Sequence, residues 1–439
     1  MTTLRAWLAI LLVGWAGAAM AETLEEAWQQ ALENSRGMKA AALESDAARA
    51  GLDAARAAQG PSLSMTADWR RFDHAYQAEM DVSALTGPMA SALGTPLPGT
   101  LVAPLTDSKQ LSAEARVELP LYTSGRLEHG VDAARAGIDV AAQELRRTRL
   151  DVKYDVAVAY IDLLRARRAH EVARVYLSSL SAYRRDVEQF YAHGLVARVD
   201  TLGAQVAQAD ASQRLIAAAD AEGIALAAYN RLLGRPLDQP ATLSEPSFPR
   251  ERRDSATLAQ IALARRPEPA QLSARVDALQ AEARSVRARS GPQVGLFAAY
   301  DYLDNPYLVN KGTGSIGIGV RWAVFDSGLS RASAGSVESR ALAVDERREE
   351  TLELIRLEVE RALRLEHDAA LRIGVAAAAL TAAEGYLTIQ RDRYANGLAN
   401  QTEVLAGEAR RSEARRNDYN ARYDHALAIL RIRRATGEL

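Results

Sequence analysis

The sequence predicts a mostly helical protein with a small β part, written as two copies of one unit. Three observations predict it: an internal repeat that aligns without a gap over its longest stretch, helices far longer than a globular domain uses, and four segments of strict apolar–polar alternation. From Glu118 and Arg321 onward the copies coincide at a constant offset of 203, through Ser124/Ser327, Gly125/Gly328, Thr148/Thr351, Val156/Val359, Tyr183/Tyr386, Gly194/Gly397, Leu202/Leu405 and Gly234/Gly437. Upstream they pair at an offset of 231, through Ala31-Leu32/Ala262-Leu263, Arg56/Arg287 and Gly60-Pro61/Gly291-Pro292. The offsets differ by 28, which places an insertion of that size in the first copy between Gly60 and Glu118.

In chain order, Met1 to Ala21 comes first. It carries one positive charge at Arg5, an apolar stretch from Ala6 to Ala18 and then Ala19-Met20-Ala21, the pattern of a secretory signal peptide (1–21) cut after Ala21. A membrane anchor is the competing reading, but the run is short of the roughly 20 residues a spanning helix needs. The absence of cysteine excludes disulfides, thiolate metal sites and an N-terminal lipid. No later segment reads as a transmembrane helix, so any membrane crossing is expected to be made of strands.

The first copy, 22–237, is expected to run helix (Leu24 to Gln59), strands about 61–72 and 109–121, a long helix about 126–191 and a helix about 199–233. The long helix is proline-free, and Val131, Ala134, Ile138, Ala141, Leu145, Thr148, Val152, Val156, Ala159 and Leu163 step by threes and fours as a heptad seam. Some 65 residues make a rod of roughly 100 Å. In the first strand Leu63, Met65, Ala67 and Trp69 alternate with polar residues; in the second Leu111, Ala113, Ala115, Val117 and Leu119 do. Between them, about His74 to Ser108, a Gly-, Pro-, Ser- and Thr-rich stretch holds the insertion as a loop. A proline-rich linker, 238–256, leads to the second copy, 257–439, with strands about 292–303 and 314–325 and helices about 329–394 and 402–435.

Strands of this length fit an outer-membrane crossing with apolar residues outward and Arg116, Glu118 and Arg321 on the polar, lumen-facing side. Soluble hairpins packed on helices fit the same alternation. Four strands do not close a barrel, so strands in lipid require an oligomer; three copies supply twelve.

Signal peptide, duplication, two strand pairs and two coiled hairpins together resemble the TolC-like family of outer-membrane efflux and secretion channels. The most specific local match is the helical turn, Tyr191 to Leu202 in the first copy and Tyr394 to Leu405 in the second, each with Gly-Leu and then an acidic residue before leucine. Gly194 and Gly397 suit helix C-caps, and Asp200 and Glu403 suit the first turn of the next helix. The resemblance implies a homotrimer whose strands form a twelve-stranded β-barrel and whose hairpins form an α-barrel. It implies an exit duct of a tripartite efflux or type I secretion system, sited in the outer membrane with its helices in the periplasm. It places Gly194, Leu195, Gly397 and Leu398 at the contact with a periplasmic adaptor, which links to an inner-membrane pump, and Asp200, Tyr394 and Glu403 at the tunnel entrance. The chain departs from the family's closing lock, since the arginine and second acidic positions are Ala399 and Ala406.

The rival reading is an exported structural or adhesive coiled-coil protein. Gly312-Thr313-Gly314-Ser315-Ile316-Gly317 has dinucleotide-loop spacing but runs into an alternating strand rather than a helix, so no cofactor is expected. The six histidines are scattered, without metal-ligand spacing, and no catalytic constellation stands out, so no metal and no enzymatic activity are expected. A net charge of −2 offers no basic surface for nucleic acid.

Overall fold

The computed structural model describes residues 21–439; the expected leader, apart from Ala21, lies outside the described residues. The chain divides into two compact units. One comprises the described residues to Glu44 with Ala141–Gln271 and Arg348–Leu439, and the other Ser45–Val140 with Leu272–Arg347. Two helices, α4 (Arg126–Ala192) and α8 (Leu329–Ala395), each run 67 residues without a break. Each is followed by a helix of about half its length, α5 (Arg198–Leu233) and α9 (Gln401–Ala435).

The helices that open each copy depart from expectation in the same way. In place of one helix from Leu24 to Gln59 there are two, α1 (Leu24–Asn34) and α2 (Arg36–Ala57). The second copy has α6 (Ser255–Arg265) and α7 (Pro267–Arg287). The interruptions, Ser35 and Arg266, are themselves separated by the offset of 231. Arg266 precedes Pro267, which disfavours helical backbone at the residue before it and starts the next helix well. Ser35 has the same extended backbone and accepts a bond from the Met38 amide on its Oγ, so a hydroxyl replaces proline as the break.

The unit that holds the helical ends is organised on Glu22. Its carboxylate takes both ends of the Arg235 guanidinium at 2.9 and 2.8 Å and the Tyr229 hydroxyl at 2.9 Å. Its carbonyl accepts from the Tyr160 hydroxyl at 2.7 Å and the Ser244 amide at 3.0 Å, and its amide donates to Thr242. Tyr160 and Tyr229 are fully buried and stack edge to face with centroids 5.9 Å apart. Burial and the neighbouring Glu22 charge push the Tyr229 phenol above its ordinary range. Around them lie Leu24, Ala27, Ala31, Val156, Ile161, Leu163, Leu233 and Leu430. The proline-rich linker is thereby tied by hydrogen bonds to Glu22 ahead of α1, to α4 through Tyr160 and to α5 through Asn230, with a parallel bridge between Glu22 and Leu243.

The other unit carries a four-stranded antiparallel sheet in the order β1 (Ser62–Arg71), β4 (Lys109–Tyr122), β5 (Gln293–Asp304), β6 (Gly312–Arg321). Both copies meet along β4 and β5. The strand-to-helix turns repeat as well: Ser124-Gly125 and Ser327-Gly328 all have positive φ, and Ser124 Oγ donates to Pro292 O at 2.7 Å while packing on Gly291, where a Cβ has no room. The insertion is more than a loop. It forms a hairpin, β2 (Gln77–Asp81) with β3 (Thr100–Pro104), around helix α3 (Ser83–Leu93), although Met80, Leu85, Met89 and Leu101 on these elements are all exposed. Its base is held by Asn305, whose amide donates to Leu105 O at 2.9 Å.

One expectation needs correction. α8 contains an 18-residue window apolar enough to pass as a membrane span, because its alanines count as apolar; almost none of that window is buried within the chain.

Replacing Arg235 with alanine leaves the Glu22 carboxylate, 15 % exposed, without its cation. The expected loss is on the order of 3 kcal/mol, read as a lower midpoint in guanidinium unfolding followed by helical circular dichroism. Removing the exposed Arg49–Asp46 pair in the same way leaves the midpoint where it is.

Candidate functional site: the helical turns and the two-faced sheet

The two α-turns are built alike. α4 closes with Gly194 at φ 72°, its amide on Tyr191 O and the Leu195 amide reaching back to Phe190 O at 2.8 Å. α8 closes with Gly397 at φ 73°, and Leu398 reaches Arg393 O at 2.8 Å. This is the six-to-one closure that needs a left-handed residue, which glycine supplies at least cost. It turns Leu195 and Leu398 outward, 70 % and 68 % exposed.

The acidic residues after the glycines differ in employment. Asp200 accepts the Ala197 amide at 3.1 Å and so completes the start of α5. In the second copy Asn400 takes over the cap, its Oδ1 accepting the Glu403 amide at 3.0 Å, and Glu403 Oε2 is buried without a partner among the described residues. Tyr394 stands half-buried in the core of the turn, with its ring 5.7 Å from that of Tyr183 beside Val187, Ala204 and Val404. Neither hydroxyl has a hydrogen-bond partner among the described residues. Burial, with Tyr394 alongside, pushes the Tyr183 phenol up. Gln401 links the two turns, donating to Asp200 O at 2.7 Å.

Farther along α9 is a group that sequence reasoning missed. Glu408 is fully buried and lies among α4, α8 and α9. Its Oε2 accepts from Arg411 at 2.9 Å, and its Oε1 accepts from Arg391 and from Ser179 Oγ at 2.9 Å. Arg391 and Arg411 also donate to Ser179, at 2.7 and 3.2 Å. In the sequence Glu408 and Arg411 look like an ordinary surface pair three residues apart, so no local signal marks them. Tyr183 had a signal, its match with Tyr386 across the copies.

In the other unit, register divides the sheet into two chemically distinct faces. Leu63, Val117, Ala298 and Ile316 form one cross-strand row and Leu119, Leu296 and Ile318 another. Leu63, Met65, Trp69, Ile316 and Ile318 are each more than 60 % exposed. The opposite face carries Ser62, Glu118, Phe297 and Gly317 in one row and Ser64, Arg116, Ala299 and Ser315 in the next. Arg116 donates to Glu118 at 2.6 Å and to Glu114 at 3.4 Å and lies over the Phe297 ring. Phe297 in turn covers Gly317, where a Cβ would stand 2.9 Å from it, so the ring fills an edge strand poor in side chains. Arg116, Glu118 and Arg321 share one recess of about 420 Å³ on this face. The strands β1 and β6 have no neighbour on their outer edges among the described residues. The glycines from Gly312 onward lie within β6, which removes the nucleotide-loop geometry. Among the described residues no cluster of His, Asp and Glu could hold a metal ion.

The chain combines an open sheet that has an exposed apolar face with long helical hairpins, and comparisons with known proteins identify its family. The family model described as outer membrane efflux protein matches residues 27–235 and 258–438, both copies of the repeat. Outer membrane protein TolC of Vibrio cholerae is 24% identical over 436 residues, covering 96% of this chain and 92% of that protein. Alkaline protease secretion protein AprF of Pseudomonas aeruginosa is 27% identical over 296 residues, 65% of this chain and 61% of that protein. Among solved structures, the outer membrane protein VceC from Vibrio cholerae superposes with a TM-score of 0.73 at 21% identity, covering 94% of this chain and 96% of that one. The chain belongs to the outer membrane efflux protein family and is an outer-membrane efflux or secretion channel, not an enzyme.

Proposed function

We propose that three copies close their sheets edge to edge into one twelve-stranded barrel in the outer membrane, with the helical hairpins joined into a periplasmic tunnel. The observation that carries this reading is the sheet itself: β1 and β6 present unpaired backbone beside a face of exposed Leu, Met, Ile and Trp. In lipid each unpaired backbone group costs several kcal/mol, so the two edges must meet copies of each other. Polar residues on the other face support a water-filled lumen lined by Arg116, Glu118 and Arg321. The exposed alanine-rich window of α8 supports close helix packing between copies in the tunnel wall.

In this reading the leader is removed after Ala21, the copies 22–237 and 257–439 each supply one hairpin, and 238–256 joins them. Transport through the duct is passive. An inner-membrane pump supplies the energy, and a periplasmic adaptor connects it to the turns at Gly194, Leu195, Gly397 and Leu398. Their exposed leucines, held out by rigid glycine caps, support a docking role for a partner with an apolar tip. Asp200, Tyr394 and Glu403 then stand at the tunnel entrance.

The test is to extract the protein from outer membranes in mild detergent and measure mass and single-channel conductance; a conducting trimer is expected, and a water-soluble monomer overturns the reading. On the sheet, Ile316→Arg is expected to cost about 2–4 kcal/mol if the site lies near the bilayer midplane, seen as lost heat-modifiable trimer, whereas Ser315→Arg on the polar face leaves the trimer and changes conductance. At the turns, Leu195→Arg with Leu398→Arg is expected to lower export in cells at least tenfold while the trimer still forms; undiminished export removes the turns from the adaptor contact.

A further inference from the structure

One row on the polar face of the sheet is almost bare. Pro120, Gly295 and Gly319 are register partners across β4, β5 and β6. On one side of it lies the row of Phe297 and Gly317, and on the other the row of Gln293 and Arg321. Those two flanking rows are four residues apart, roughly 13 Å along the strands. A Cβ at Gly295 would stand 3.4 Å from its nearest neighbour and one at Gly319 3.8 Å, so packing does not demand glycine at either place.

The first copy shows that the hairpin does not demand it either. Shifted by 231 and 203, Gly295 and Gly319 become Ser64 and Arg116, which are register partners in their turn. Gln293 and Arg321 likewise become Ser62 and Glu118. On the same backbone pairing, the second copy has cleared a row and put a guanidinium beside it where the first copy has a carboxylate.

The charges around the cleared row do not balance. Arg116, Arg126, Arg321 and Glu118 are the charged residues that line the recess of about 420 Å³. Arg116 is engaged by Glu118 and Glu114. Arg126, the first residue of α4, donates to the neutral Gln293 Oε1 at 3.2 Å, and neither it nor Arg321 has an acidic partner among the described residues. Gln293 is the register partner of Arg321, so two cations flank one carboxamide and an anion between them relieves their repulsion. Ala57, Ala58 and Leu127 add an apolar wall beside the glycines.

We propose that this recess is a way-station for organic anions with an apolar body, whose acidic group is held by Arg126 and Arg321 while the body lies over the cleared row. The inference rests on the trimeric barrel proposed above, in which this face lines the pore, and goes beyond it by assigning a class of cargo. A duct must release what it holds, and solvated arginines suit a weak site of that kind.

The test measures block of single-channel current through the detergent-extracted trimer in lipid bilayers, with 2-naphthalenesulfonate as probe and sulfate and 2-naphthylmethylammonium as controls. The naphthalenesulfonate is expected to block at lower concentration than either control. Arg126→Gln and Arg321→Gln are each expected to raise its half-blocking concentration about tenfold with the trimer intact, the loss of one hydrogen bond to a charged group. Gly319→Leu is expected to raise it as well, by filling the cleared row while both cations stay. Arg70→Gln removes a charge from the same face that is already paired with Asp68, and is expected to leave the block within about twofold of wild type. Block by naphthalenesulfonate no stronger than by sulfate or by the naphthyl cation overturns the proposal, and so does a loss in Arg70→Gln that matches the loss in Arg321→Gln. Failure of the wild-type protein to form a conducting trimer would instead remove the functional reading on which the proposal stands.

Discussion

Backbone hydrogen bonding in lipid is the constraint from which the rest of the architecture follows. A sheet of four strands satisfies its interior and leaves two rows of amides and carbonyls open, at β1 and β6. Water can cover such edges, but hydrocarbon cannot. The chain exposes apolar side chains on the face that would meet hydrocarbon, so lipid on that face and a neighbour on the open edges are two parts of one proposed arrangement. Internal duplication suits that arrangement. β4 and β5, one from each copy, pair within the chain in the manner that the proposed barrel asks of β6 and the β1 of the next copy, so in that barrel a single strand-pairing geometry serves both.

The helical unit is governed by the complementary problem, that of keeping long and alanine-rich rods in one register. Small side chains permit close approach but say little about where one helix stops along another. The buried polar nodes supply that information. Glu22 binds side chains and backbone of α4, α5 and the linker, and it does so through groups that fit only one alignment. Glu408 does the same for α4, α8 and α9. Each node gains little net energy over a well-packed apolar substitute, and its contribution is to make the wrong register costly.

Periodicity makes the large features legible in the amino-acid sequence. The heptad seam sets the length of α4, alternation marks the four strands and their two faces, and Gly194 and Gly397 mark the turns. The features that stay hidden depend on contacts distant in sequence or on substitutions of one physical device for another. Ser35 breaks a helix with a hydroxyl where Arg266 does it through Pro267, and only the proline advertises itself. Asp200 and Glu403 look equivalent, yet Asn400 takes the capping task in the second copy and leaves Glu403 Oε2 buried and unpaired among the described residues. The insertion reads as a loop by its glycines and prolines, and yet it forms a helix and a hairpin.

Those differences between copies carry more information than the matches. Matched positions such as Ser124/Ser327 and Gly234/Gly437 are held by geometry that any copy needs: left-handed backbone at a strand-to-helix turn, or at a helix end. Where the copies diverge while the fold does not, geometry has ceased to be the reason. Gln205 and Glu408 occupy related places on helices of the same kind, yet the acid at Glu408 is buried and held by donors from α4, α8 and α9.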